Sequence, residues 1–334
     1  MSITRKIISM LPIGTESRLR MLYGFLCSWR IAAYHTIRFL RHSSTARRPI
    51  DRARLEGVIY KQFHAVEKGL ALPEPRPGFG AASIASLMEN IRLYEADHAV
   101  DETTANARAS LAEYVEYNSS YGVDVSGIQR FLELEPDSVI KGKGGTDFLS
   151  WDSLFPTPED VSAAFLLSRR TVRVFTGQAI PKQTLEEIYI LASRAPSVCN
   201  RQAAGVFFVT DREQITRALS FQNGNRGFGD TIGALALVTA DQTVFTSCGE
   251  LYQDYVDGGI FAMSLLLAAH AKQVGGCMLN WSVTAGRDKK MRRALGIPDN
   301  ETVITMIGFG VPADSFKVAH SPRLRPDSRL RWIE

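Results

Sequence analysis

What the sequence lacks narrows it first. Its four cysteines, Cys27, Cys199, Cys248 and Cys277, are far apart and form no C-x-x-C pair. That excludes a zinc framework and a disulfide scaffold and points to a reducing, cytoplasmic setting. There is no long uninterrupted apolar run: Leu22 to Leu40 is broken by Arg30, His35 and Arg38, a poor membrane span. Met1 to Gly14 offers only a short apolar run and no cleavage site, so no signal peptide is expected. No G-x-G-x-x-G follows a strand; Gly78-Phe79-Gly80 begins an incomplete match behind Pro75 and Pro77. Walker A and H-E-x-x-H sequences are missing too, and no metal is expected. A net charge of +4 is too small to argue for nucleic acid. Acid is scarce before Arg54, where Arg5, Lys6, Arg18, Arg20, Arg30, Arg38, Arg41, Arg47, Arg48 and Arg52 accumulate. Residues 1–45 therefore leave open a peripheral contact with an anionic membrane, against the plainer expectation of a helix packed on the body with its arginines in water.

What is present is an ordinary globular balance, 45% hydrophobic and 22% charged over 334 residues, enough for two domains or one large one. The breaker run Lys141-Gly142-Lys143-Gly144-Gly145, followed by Pro156 and Pro158, separates residues 1–150 from 160–334. The first region reads as helical. Apolar residues recur at helical spacing in Arg52 to Lys68, Ser83 to His98 and Asn106 to Tyr117, with a shorter candidate at Val125 to Leu134. The second alternates. Helices are expected at Lys182 to Ser193, Arg212 to Ser220 and Leu251 to Val274, the last so apolar that burial on all sides, inside a core or against another subunit, is expected. Strands are expected at Gly205 to Thr210, Ala234 to Thr239, Cys277 to Trp281 and Thr302 to Phe309. This is an α+β pattern around a mixed sheet.

Two segments carry the chemistry. Ser168-Arg169-Arg170-Thr171-Val172-Arg173-Val174-Phe175 packs three guanidiniums and a hydroxyl into five positions. Ala195-Pro196-Ser197-Val198-Cys199-Asn200-Arg201-Gln202 is a turn followed by two side-chain amides. Guanidinium forks donate in a plane and suit phosphate or the carbonyl edge of a flat ring. Asn and Gln offer donor and acceptor together, as a uracil-like edge requires. The ligand described is phosphorylated, planar and hydrogen-bonding, with flavin mononucleotide (FMN) the first candidate. Glycines at Gly258-Gly259, Gly275-Gly276, Gly308 and Gly310 would let backbone approach a flat ligand.

The order R-R-[ST]-x-R-x-F, A-P-S-x-x-N-x-Q, an acidic-Gly long helix, a Gly-Gly strand entry, L-G-I-P and a final G-x-x-P resembles the nitroreductase-like FMN-dependent oxidoreductases over residues 160–334. The resemblance implies a sheet flanked by helices, an N-terminal helical extension and a homodimer with flavin at its interface. By motif, Arg169, Arg170, Thr171 and Arg173 would hold the phosphate, ribityl and pyrimidine edge. Pro196, Ser197, Asn200 and Gln202 would reach the flavin from the other subunit. Gly275 and Gly276 would lie near its reactive face, with Asn225 and Arg226 close by, and Arg323 or Arg325 would close on the phosphate. The implied activity is hydride transfer from NAD(P)H, a transient donor, through flavin to a small-molecule acceptor by a ping-pong scheme. No side chain is expected as general acid. The alternative is a flavin-binding or flavin-less accessory protein of a polysaccharide-related pathway. Where the family often has Pro-Trp after the amide pair, this chain has Ala203-Ala204, and Val198 replaces a second Ser; both changes are expected to loosen the substrate-side wall.

Other candidates read as structural. His64 and Glu67, a helical turn apart in H-x-x-E-K-G-L, are too few to hold a metal, although that segment resembles a subgroup of the same family. His270 reads as a satisfied core histidine, Asp257 as facing a polar partner or a dimer seam, and Cys199 as a spacer without a base.

Overall fold

The computed structural model describes residues 13–44, 51–134, 140–148, 157–319, 321 and 329–334. In chain order the helices are α1 (Ile13–His42), α2 (Arg52–Leu70), α3 (Ala81–Asp97), α4 (Glu102–Ser119), α5 (Ser126–Glu133), α6 (Glu159–Ser168), α7 (Lys182–Ala192), α8 (Arg212–Leu219), α9 (Gln253–Ala271) and α10 (Ala285–Leu295). The strands are β1 (Ala204–Val209), β2 (Ala234–Asp241), β3 (Gly275–Asn280) and β4 (Glu301–Gly310), in spatial order β1-β2-β4-β3.

All three strand pairings are antiparallel. The parallel component of the expected mixed sheet is a single bridge, Thr171 to Gly276. The two inner strands are buried on both faces, which is why ALALVT and TVITMIGF read as nearly continuous apolar runs. Alternation splits them between two cores. Ala234, Ala236 and Val238 pack with Ile188 of α7 and Leu265 and Ala269 of α9. Leu235 and Leu237 pack with Ile215 of α8, Met291 of α10 and Met306. Helices thus cover both faces.

α9 is buried on one side only within this chain. Phe261, Ala262, Leu265 and Ala269 are buried, but Val256, Ile260 and Met263 are exposed. Its apolar run covers the sheet on one side and is bare on the other within this chain.

The helices α2 to α5 form their own core around Ile59, Leu87, Ile91, Tyr94 and Leu111. α2 also docks on the segment that follows β2. A Cβ at Gly57 would lie 2.7 Å from the Val244 backbone, and Lys61 Nζ donates to Thr246 Oγ1 at 2.8 Å. The Lys-Gly run is pinned, not a free breaker. Lys143 N donates to Asn106 Oδ1 (2.6 Å), Gly145 N to Glu67 Oε1 (3.1 Å) and Thr146 N to Glu113 Oε2 (2.7 Å). The strap lies so close to α4 that a Cβ at Gly142 would sit 2.0 Å from Ala105 O, and one at Gly144 2.1 Å from Asn106 O.

α1 departs from the expectation at one arginine, while Arg30 and Arg41 are exposed as expected. Arg38 is 2% exposed and donates to the carbonyls of Asp299 (3.1 Å from Nε) and Glu301 (2.8 Å from Nη2). Phe39 packs with Ala203, Ala240 and Phe245. Tyr34 donates to Asp288 Oδ2 at 2.7 Å. Burial and that carboxylate push the Tyr34 hydroxyl up to about 12, so it remains a donor through the neutral range.

Candidate functional site

The arginine-rich stretch leaves α6 as extended chain along the sheet's β3 side. Thr171 bridges to Gly276 and Phe175 to Pro312. Val172 N donates to Gly276 O at 3.2 Å, and Thr176 N to Val311 O at 2.9 Å. Val172 and Phe175 are buried, whereas Arg170 and Arg173 are exposed and Arg169 is half-buried. The sheet edge therefore fixes the backbone, while Arg170 Nη1 donates to the carbonyls of Leu167 and Arg169 at the surface.

A cavity of about 420 Å³ opens beside this stretch. Arg169 and Arg170 contribute its cations, and Gly275 and Gly276 bring β3 to it. Val172, Leu266, Val274 and Phe316 supply apolar wall, and no Asp or Glu is among the lining residues. Such a lining favours a ligand with an anionic end and an apolar body. The glycines are explained by packing within the chain. A Cβ at Gly276 would lie 2.7 Å from Leu266, and one at Gly275 3.1 Å from both Val172 and Pro312. Gly308 and Gly310 are likewise filled by Ile232 and Phe175, and Gly258 by Ile304; space around Gly259 is open.

Arg173 points elsewhere, to Cys277. Burial pushes that thiol up, and the Arg173 guanidinium only partly opposes it, so Cys277 is held as a neutral thiol.

His270 has the hydrogen-bond partner expected of a satisfied histidine, but it is half-buried and not in the core. It lines the cavity, with Nε2 2.7 Å from Ser168 Oγ and its ring 5.2 Å from that of Phe165. Its setting in an apolar helix concealed it, since only the position at the last turn of α9, beside the end of α6, brings it to the cavity.

The Pro-Ser turn forms a second, separate group. Pro196, Ser197 and Gln202 line a small space of about 40 Å³ with Tyr189, Asp257 and Phe261. Cys199, Asn200 and Gln202 all take left-handed φ values near +50°. Each costs on the order of 1–3 kcal/mol and persists only where the surroundings fix it. Those surroundings are visible. Asp257 accepts from Val198 N (3.2 Å) and Gln253 Nε2 (2.7 Å), and Ser197 Oγ accepts from Gln202 N (3.0 Å). Arg201, 4% exposed, donates to Val244 O at 2.9 Å and pairs with Glu250. Burial works against charge on Glu250, yet Arg201 and the amides of Thr246 and Ser247 hold its carboxyl below the usual carboxylate range. Asp257 thus faces a polar partner, the turn itself. Asn200 is left exposed.

Val198 and Ala203 do not loosen a wall here, because both pack into the cluster around Phe39 and Phe245. Asn225 lies in another loop, donating to Leu219 O and Gln222 O, and Arg226 beside it is exposed. Neither reaches the large cavity. Arg323 and Arg325 lie outside the described residues. His64 sits 3.3 Å from Glu67, which is spent on Ser110 and on the strap.

Residues 166–223 match the Nitroreductase family model, a span that holds both the arginine stretch and the Pro-Ser turn and ends before Asn225. A protein of Archaeoglobus fulgidus named "Putative NADH dehydrogenase/NAD(P)H nitroreductase" is 27% identical over 170 residues, 50% of this chain and 96% of that one. An FMN-dependent nitroreductase from Clostridium difficile aligns over 52% of this chain and 99% of its own, with 21% identity and a TM-score of 0.44. Nitroreductase A from Vibrio parahaemolyticus aligns over 52% and 76%, with 22% identity and a TM-score of 0.43. In the segment that carries its arginine stretch and its strained turn, the chain is similar to the nitroreductase family.

Proposed function

We propose that the chain is an FMN-dependent oxidoreductase that takes hydride from NAD(P)H and delivers it to a small-molecule acceptor in alternating half-reactions. The observation that carries this reading is the convergence of Arg169, Arg170, Gly275 and Gly276 on one cavity with no carboxylate among its described lining residues. The residues fit the cofactor. Two guanidiniums match a phosphate, the wall of Val172, Leu266 and Phe316 matches an aromatic ring, and about 420 Å³ lies in the small-molecule range of roughly 300–1,000 Å³.

Bound FMN would supply a two-electron carrier whose N5 accepts and returns hydride. The chain's part is binding and orientation. Arg169 and Arg170 would hold the anionic end, and the bridge from Thr171 to Gly276 fixes the backbone that carries them against β3. Fixed guanidiniums stabilise developing negative charge without reorganising. No side chain in the cavity is required to deliver a proton.

The turn at Pro196 to Gln202 lines a different space from Arg169. A second subunit would complete the site. Support for a homodimer with flavin at its interface comes from exposed apolar residues on three helices, Leu166 and Leu167 on α6, Ile190 and Leu191 on α7, and Ile260 and Met263 on α9.

The visible spectrum of the purified protein, before and after anaerobic NADH or NADPH, tests the proposal. Flavin bands that bleach are expected. Bands that persist would favour the accessory reading, and no bands even after adding FMN would remove the cofactor assignment.

A further inference from the structure

The first half of α1 is bare. From Leu19 to Ala32 every residue with a described side chain is exposed except half-buried Cys27. Met21, Leu22, Phe25, Leu26 and Trp29 recur at one- and three-residue steps, so they share one face of the helix. Ile37 and Leu40 continue it. Exposure along this stripe runs from 73% at Met21 to 43% at Leu40. Tyr34 and Arg38 hold the opposite side of the helix to the body, through Asp288 and the carbonyls of Asp299 and Glu301. The stripe is therefore turned outward by a buried anchor.

Cations predominate around the stripe, and Asp299 at the anchored end is paired with Arg38, Arg41 and His42. No Asp or Glu occurs between Glu16 and Asp51, and exposed Arg30 borders the stripe. α10, packed beside the anchored end, adds the exposed cations Arg287, Lys289, Lys290 and Arg293, with Lys289 Nζ 5.2 Å from the Tyr34 ring centroid. A second copy of the same helix would bring cations against cations, with no acid from 17 to 50 to pair them. Among the described residues no helix is long and apolar enough to cross a bilayer.

We propose that α1 docks this chain on an anionic lipid surface. Phe25, Leu26 and Trp29 enter the headgroup–acyl boundary while Arg30 and the α10 cations meet the headgroups. Tyr23 and Trp29 are the aromatic types favoured at that depth. The inference does not depend on the flavin reading.

The test is co-sedimentation of the full chain with vesicles of phosphatidylcholine alone and of phosphatidylcholine with phosphatidylserine, at low and high salt. Binding to the anionic vesicles only, weakened by salt, is expected. Phe25→Ser with Trp29→Ser should lower the bound fraction about tenfold or more, with far-ultraviolet circular dichroism unchanged. Arg30→Glu, which keeps the apolar stripe, serves as the second variant and should bind the anionic vesicles less than the native chain. No binding of the native chain to anionic vesicles, or equal binding by the variants, would overturn the proposal. So would a halving of the light-scattering mass in the Phe25→Ser, Trp29→Ser variant, which would assign the stripe to a second copy.

Discussion

At the scale of single residues, the buried charges decide more than their number suggests. Arg201 is buried beneath the strained turn and is met by Glu250 and the Val244 carbonyl. Arg201→Ala would strand Glu250, and breaking a buried pair from one side costs about 3–5 kcal/mol. Denaturant unfolding should show that loss. Because the three left-handed residues depend on the same support, flavin retention should fall as well. Asp288 gives a pH dependence. Burial opposes its charge, but Arg292, the Trp281 indole and the Tyr34 hydroxyl hold its carboxyl below the ordinary value of 3.8. A depressed folded value means that its contribution is complete above 3.8 and fades as pH falls through the lower folded value. Urea midpoints measured down that acid range should drop in the native chain and change less steeply in Asp288→Asn. The arginine stretch and the Pro-Ser turn were legible from residue types alone. His270 was not, since nothing local to an apolar helix marks the one position that meets Ser168.

At the scale of elements, sequence pattern succeeded where burial is apolar and failed where it is polar. The expected helices from Arg52 to Leu134 and the four strands match the observed ones within a few residues, because each buries a periodic apolar face. α10 was overlooked. Its sequence AGRDKKMRRAL has little apolar periodicity, and much of its buried side is the Asp288–Arg292 pair at i,i+4. Its ends were nonetheless marked, by Thr284 capping Arg287 N and by Gly296 in the left-handed conformation. The strap was misread for a related reason. Glycines suggest freedom when seen alone, whereas here Gly142 and Gly144 are demanded by the α4 backbone. Gly144→Ala should cost about 1–3 kcal/mol by overpacking, while Lys143→Ala, an exposed side chain, should leave the unfolding midpoint almost unchanged.

At the scale of the whole molecule, the arginine stretch and the Pro-Ser turn line separate spaces within one chain, and the proposed dimer would bring them together. That separation had a sequence signature only through the family resemblance, since spacing along a chain cannot say which residues a partner supplies. If the exposed face of α9 is the seam, Ile260→Asp with Met263→Asp should halve the mass in light scattering and release flavin together, leaving circular dichroism largely intact. A monomer that keeps its flavin would place the whole site in one chain. A last consequence follows from how the arginine stretch is held. It is stitched to the sheet by the amides of Val172 and Thr176. Any ligand that clamps Arg169 and Arg170 must therefore also quiet those stitches. Hydrogen exchange at Val172 and Thr176 should slow when the cavity fills, so the sheet's own margin becomes a gauge of occupancy that needs neither colour nor turnover.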